Sequence, residues 1–513
     1  MMSNQQRPVR HTVEVGGDSL TGPQVVAVAH GDALVRVTDT AVERMAKARC
    51  RVEELVDAAV PTYGITTGVG ALAEEPISAH QQRALQRSLL RSHAAGTGPP
   101  VEREVVRAMM LLRVRTLATG VAGSRPEVAL ALARMLNAGV TPVVREYGSL
   151  GCSGDLAPLS AVALALIGEG QVTTADGSDL DAATALDNVG MMPLVLQEKE
   201  GLSLINGTDG MLGMLLFAVD RLTALLDIAD LTAAMSVEAL LGTDRVFAAD
   251  LQALRPHPGQ VRSAPRISAL LRDSEILARS GSRRVQDAYS LRCTPQVHGA
   301  ARDTLSHATT VAERELASAI DNPAVMEDGR VESNGNFHGA PLAYVLDYLA
   351  IPVADLASIA ERRTDRLWDP KRSAGLPAFL AHGTGVDSGL MIAHYTQVNM
   401  VAELKRLAVP ASVDSIPTSA MQEDHVSMGW ASARKLRRAL DALTSVLAIE
   451  LLAAARALGL RAPWRPAAGT AAAVSLLRER VAGIGPDRHL SPEMQAAEDL
   501  IRCGTLATIK PAG

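Results

Sequence analysis

Leucines at 436, 440, 443, 447 and 451 recur at steps of four and three. That spacing lays one apolar stripe along about four turns of helix, and such a stripe must be covered by another element. A second run, Leu305, Ala308, Ala312, Leu316 and Ala319, repeats the pattern. The small residues beside the leucines allow helix axes to approach closely, so the runs point to bundle packing. Composition agrees. Aromatic residues are 3% of the chain, and the 47% hydrophobic content is mostly Ala, Leu, Val and Met, as in packed helices. A β-sandwich or propeller draws more on aromatic and β-branched residues.

The first sixty residues read differently. His11–Val15 and Ala33–Thr38 have strand character and Thr21–His30 that of a short helix; Thr38 or Asp39 can cap a helix running to about Ala59. Further helices are expected at 79–95, 101–119 and 125–138, the last closed by Gly139. The expected fold is mainly α, a long-helix bundle with a small mixed α/β N-terminal head. In chain order this gives a head region over 1–200, a central long-helix bundle over 201–462 and a peripheral C-terminal helical tail over 463–513.

Charge excludes several partners. Fifty Lys and Arg against 56 Asp and Glu leave −6 over 513 residues, without the concentrated positive field that nucleic acid or a polybasic membrane contact needs. Cys50, Cys152, Cys293 and Cys503 form no CxxC pair, and no two of the 12 histidines lie within five positions of each other. Neither a disulfide scaffold nor a zinc site is indicated. Met1 to Arg10 is polar, without the apolar core of a leader. The longest unbroken apolar stretch, near Gly210 to Val219, is about ten residues, short of the roughly 18 that span a bilayer. The expectation is a cytoplasmic protein with no metal, no nucleic acid and no membrane partner.

Two glycine-rich loops interrupt the helices, Pro61 to Gly70 and Gly148 to Asp155. The second, Gly148-Ser149-Leu150-Gly151-Cys152-Ser153-Gly154-Asp155, can be a tight turn with Asp155 capping the next helix. It lacks the Gly-Lys-Ser/Thr of a phosphate loop, and position 155 is Asp where a nucleophile elbow needs Gly. A third chemistry fits an Xaa-Ser-Gly tripeptide. The Gly154 amide nitrogen can attack the carbonyl carbon of Cys152; two waters then leave, one taking the Ser153 hydroxyl. The product is a methylidene-imidazolone ring with an electrophilic exocyclic carbon. A side chain at 154 would obstruct closure, Ser153 supplies the methylene, and the Cys152 side chain is not consumed.

Seven blocks in order resemble the aromatic amino acid ammonia-lyases, and among them the histidine-specific members. They are Tyr63-Gly64 with Thr67-Gly68; Ser92 to Gly96; Gly148 to Leu159; Leu204 to Thr208; Val285 to Arg292; Gly335 to His338; and Gln422 to Met428. The resemblance implies a self-formed 4-methylidene-imidazol-5-one (MIO) from Cys152, Ser153 and Gly154, with no metal and no external cofactor. It implies Tyr63 as catalytic base, Asn206 as donor to the electrophile's carbonyl oxygen, and Arg292 as the grip on the substrate carboxylate. Gln286, Tyr289 and Phe337 correspond to residues that position substrate and electrophile, with Tyr289 in the catalytic group. His93 and Glu423 correspond to positions facing the substrate side chain. The chemistry needs such convergence: the β-hydrogen is poorly acidic and ammonia leaves badly, so a base and a covalent electrophile must share the work. Holding Tyr63 as phenolate at pH 7 costs roughly 4 kcal/mol unless the site lowers its pKa, to which helix N-termini could contribute.

The implied activity is deamination of L-histidine to trans-urocanate and ammonia, the first step of histidine degradation. The implied assembly is a homotetramer whose sites draw on three subunits. A lyase or 2,3-aminomutase for another aromatic amino acid, and an inert helical assembly, are the alternatives. Cys152 stands where Ala is usual, Thr66 where Asn or Ser is frequent, Val69 where Phe is frequent, Ala161 where His is often seen and Met421 where Asn is common. Ser419 to Gln422 also reads as a capping box for a helix that Glu423 and Asp424 would begin.

Overall fold

A computed structural model describes residues 11–17, 19–280, 285–383 and 385–509. The polar Met1–Arg10 segment, read as lacking a leader, lies outside the described residues. The fold is mainly α, with 19 α-helices among those residues and only short strands. The head is as expected. His11–Val15 pairs in parallel with Ala33–Val37, and the helix Gly22–His30 connects them. Thr38 caps the helix Asp39–Asp57, its hydroxyl accepting from the Ala41 amide. The helix expected over 79–95 begins as a 3₁₀ turn, Ala79–Gln81, and becomes α only over Gln82–His93.

Compactness divides the chain differently from its order. One unit gathers Met1–Phe217, Thr309–Leu346 and Ala411–Arg434; the other gathers Ala218–Ala308, Asp347–Pro410 and Lys435–Gly513. Four of the five boundaries fall inside helices of more than 20 residues, among them Asp209–Ala239 and Gly429–Gly459, and the fifth lies in the loop after Met391–Leu407.

The first unit is built on the helix Arg103–Ala118, buried from Val105 to Ala118. Arg107 on this helix donates to the carbonyls of Val28, Ala29 and Leu136, closing the C-terminal ends of two neighbouring helices. In the second unit the leucines at 436, 440, 443, 447 and 451 are all buried. At its centre the buried Glu450 carboxylate accepts from Arg363 at 2.5 and 2.9 Å, Thr232 at 2.8 Å and Ser236 at 2.9 Å. Leu305, Ala308, Ala312 and Leu316 are buried, but Ala319 lies past the end of its helix, Thr294–Leu316. Two helices, Ala340–Trp368 and Gly429–Gly459, are long and apolar enough to cross a membrane, and 61% and 89% of their apolar windows are buried within the protein. Scattered polar residues interrupt both, so neither contains an unbroken apolar run of spanning length.

Candidate active site

The loop Pro61–Gly70 turns on itself: the Thr62 carbonyl accepts from the amides of Ile65, Thr66 and Thr67. Thr66, one of the departures from the family pattern, ties this turn, donating to the Val60 carbonyl at 2.6 Å and accepting from the Thr62 amide at 2.8 Å. Ile65 is fully buried against Val52 and Val325 and anchors the loop. Tyr63 is thereby directed into a cavity of about 730 Å³ also lined by His93, Ser153, Asn206, Ser419 and Glu423. The Gly70 amide donates to Tyr63 Oη at 2.8 Å. Burial, with a smaller push from Glu423, raises the phenol above its ordinary pKa; the Gly70 amide pulls it down. Burial disfavours phenolate more than one amide favours it, so these groups do not supply the lowering that a phenolate base would need.

The loop carrying Ser153 is pinned from several sides. Ser427 Oγ donates to the Gly151 carbonyl at 2.9 Å, the Gly339 amide reaches the same oxygen at 3.2 Å, and the Met428 amide donates to the Leu150 carbonyl at 2.8 Å. Asp155 does not cap the helix that follows it. Its Oδ2 accepts from the Gly210 and Met211 amides at 2.9 and 3.0 Å, so it holds the N-terminus of the helix Asp209–Ala239 against the loop. Burial pushes this carboxyl up to about 7.

Gly154 has φ +76°, and a Cβ there would lie 2.0 Å from the Gly207 carbonyl oxygen. A residue with a side chain does not fit there. Asn206 donates from Nδ2 to the Asn322 carbonyl at 3.0 Å, which leaves its second amide hydrogen uncommitted. Arg113, fully buried, fixes this corner by donating to the Ser203 and Asn206 carbonyls at 3.1 Å each and pairing with Asp209.

His93 ends the helix Gln82–His93. Its Nδ1 lies 2.9 Å from the Leu89 carbonyl, which can only accept, so Nδ1 carries the proton and neutral Nε2 is an acceptor. Burial lowers its pKa, which favours that neutral form. Glu423 does not begin a helix. Ser419, Ala420 and Met421 all take positive φ, 50°, 52° and 72°, and fold a tight turn in place of the expected capping box. That turn pairs Thr418 with Glu423 as an isolated β-bridge and brings the Thr418 hydroxyl to 3.0 Å from Glu423 Oε2. Strained non-glycine backbone of this kind is retained where it positions a functional group.

The structure thus brings Tyr63, His93, Ser153, Asn206 and Glu423 to one cavity, with Cys152 touching Glu423 through its thiol. Gln286, Tyr289, Arg292 and Phe337 do not line it. The first three sit together in the second unit. Arg292 donates to Gln286 Oε1 at 2.9 Å and lies 4.6 Å over the Tyr289 ring, which is 71% exposed. Half-buried Phe337 lies on a turn of the first unit. Sequence reasoning missed Thr418, Ser427 and Arg113. Ser427 and Arg113 act on residues distant in the chain, and Thr418 reaches Glu423 only through the left-handed turn between them.

A helical fold that aims a buried Ser-Gly turn and a tyrosine phenol into one cavity is an architecture for elimination chemistry on a small amino acid. The "Aromatic amino acid lyase" family profile matches residues 20–479. Histidine ammonia-lyase of Streptomyces avermitilis is 60% identical over 501 residues, covering 97% of this chain and 98% of that protein. The crystal structure of histidine ammonia-lyase from Trypanosoma cruzi superposes with a TM-score of 0.90 at 40% identity, covering 98% of this chain and 95% of that one. Tyrosine aminomutase from Streptomyces globisporus superposes with a TM-score of 0.92 at 36% identity, covering 98% and 100%. The chain belongs to the aromatic amino acid lyase family, whose members depend on a methylidene-imidazolone electrophile.

Proposed function

We propose that this protein is a cytoplasmic histidine ammonia-lyase that releases ammonia and trans-urocanate from L-histidine. The observation that carries the reading is the meeting of Ser153, Tyr63, His93 and Glu423 in one cavity of about 730 Å³. The 60% identity to a histidine ammonia-lyase supports the same substrate. The four cysteines are free, in keeping with a reducing compartment.

Closed into a methylidene-imidazolone, residues 152–154 supply an electrophilic carbon that draws electron density from the bound amino acid, with no added cofactor. The Gly154 cradle, the spare Asn206 hydrogen and the pinned loop suit that closure. The remaining residues bind, orient and move protons. His93 Nε2 and the Glu423 carboxylate present acceptors to the imidazole N–H. Tyr63 takes the proton from the β-carbon. Burial and the charge of Glu423 raise its pKa, and the substrate's ammonium group beside the phenol offsets this and eases its ionisation. Arg292 supplies a guanidinium for the substrate carboxylate, with Gln286 and Tyr289 beside it.

The same reading takes the assembly to be a homotetramer. The segment bearing Gln286, Tyr289 and Arg292 serves a neighbouring subunit's cavity, as does Phe337. Exposed Val285 and Tyr289, and the exposed Ile392 and Tyr395 on the helix Met391–Leu407, support such an interface.

The test is incubation with L-histidine, L-tyrosine and L-phenylalanine in parallel, following urocanate absorbance and identifying products. Urocanate from histidine alone is expected. No urocanate from well-folded protein that weighs two waters less than its sequence overturns the reading. The likeness to a tyrosine aminomutase favours a second reading, and a β-amino acid product from tyrosine would establish it.

A further inference from the structure

Glu423 is held by one of its two oxygens. Cys152 Sγ lies 3.1 Å and Thr418 Oγ1 3.0 Å from the same atom, Oε2. Among the described residues no hydrogen bond reaches Oε1, and Glu423 lines the cavity. The main chain around Glu423 is fixed as well: its amide and carbonyl both pair with Thr418, at 3.3 and 3.0 Å. Backbone and one carboxylate oxygen are therefore both constrained, and the freedom left is that of the oxygen without a partner.

We infer that the Cys152 thiol is a positioning residue for substrate recognition: with the Thr418 hydroxyl it clamps Oε2 of Glu423 and leaves Oε1 to accept the imidazole N–H of the substrate. The inference rests on the histidine reading. Cyclisation takes the backbone of residues 152 and 154 and the hydroxyl of Ser153, so the thiol outlasts it. The mature site keeps an S–H donor that an alanine at this position would lack. Burial and the neighbouring Glu423 charge push the thiol up to about 12, so it remains a protonated donor and does not act as a nucleophile. Without it, Glu423 would keep only the Thr418 hydroxyl, and its terminal torsion, broad in any carboxylate, would be less defined. Cys152 then belongs to the specificity apparatus as well as to the electrophile's precursor.

The experiment separates binding from turnover. In Ser153→Ala protein, which cannot form the electrophile, L-histidine binding is measured by calorimetry. Adding Cys152→Ala should weaken binding about fivefold, less than the loss of a direct hydrogen bond to a charged group, because the thiol acts through Glu423. Cys152→Ser should restore affinity to within about twofold, because it returns a donor. In a Glu423→Gln background, Cys152→Ala should have no further effect. Equal affinity with and without Cys152→Ala overturns the inference and leaves the histidine reading standing. Failure of folded Ser153→Ala protein to bind L-histidine at all overturns both. With Ser153 present, Cys152→Ala should still weigh two waters less than its sequence and show a raised KM with kcat little changed. A lost mass deficit would mean that the thiol serves ring formation, which also overturns the inference.

Discussion

The phenol of Tyr63 holds its proton more tightly than a tyrosine in water does, and the causes separate by mutation. Burial remains whatever stands at 423, but the push from Glu423 needs a negative charge. Deprotonated Tyr63 is the reactive form, so activity rises with pH toward its pKa, and a lower pKa moves that limb to lower pH. Glu423→Gln should therefore shift the acid limb of the kcat/KM profile downward while reducing kcat/KM overall. An unmoved limb would separate Glu423 from the base. Gly154 offers a second test. Gly154→Ala drives a methyl into the Gly207 carbonyl, so intact mass should show the full sequence weight and no deficit of two waters.

At the scale of elements, ion pairs buried between helices set their register. Glu450 accepts four hydrogen bonds from three side chains, all buried. Replacing Glu450 with alanine leaves Arg363 charged and unpaired in the core. Such losses cost about 3–5 kcal/mol, and calorimetric unfolding should show a markedly lower Tm. Asp155 works similarly between loop and helix. Through it the turn carrying Ser153 is tied to the first amides of Asp209–Ala239, so the electrophile's precursor rests on a rigid element.

For the whole molecule, the proposed site draws on more than one subunit, and that sharing is testable. Ser153→Ala and Arg292→Ala proteins should each be nearly inactive. Co-expressed, they should form mixed tetramers in which some sites take an intact Ser153 from one subunit and an intact Arg292 from another, and urocanate production should return in part. No recovery in mixed assemblies isolated by tag would place both residues in one subunit's site. Tyr395→Asp, which puts a charge on an exposed apolar position, should lower the sedimentation coefficient toward that of a single chain and lower activity with it.

Local chemistry was legible in the residues. Leucine spacing marked the helix faces, Thr38 the helix start, Gly139 a helix stop, and Cys152-Ser153-Gly154 a tripeptide of the kind that can close on itself, because each of these depends on neighbours a few positions away. The environment of each group was not legible. The sequence offered Glu423 as the first turn of a helix, but three left-handed residues make it half of a β-bridge. It offered Asp155 as a cap for its own helix, but the carboxylate serves another helix more than 50 positions away. Proton affinity and hydrogen-bond partnership arise from what long-range packing brings within a few ångströms and from the water it excludes. Sequence determined which groups this protein has for its chemistry; the tertiary structure decided what each one faces and how readily it ionises.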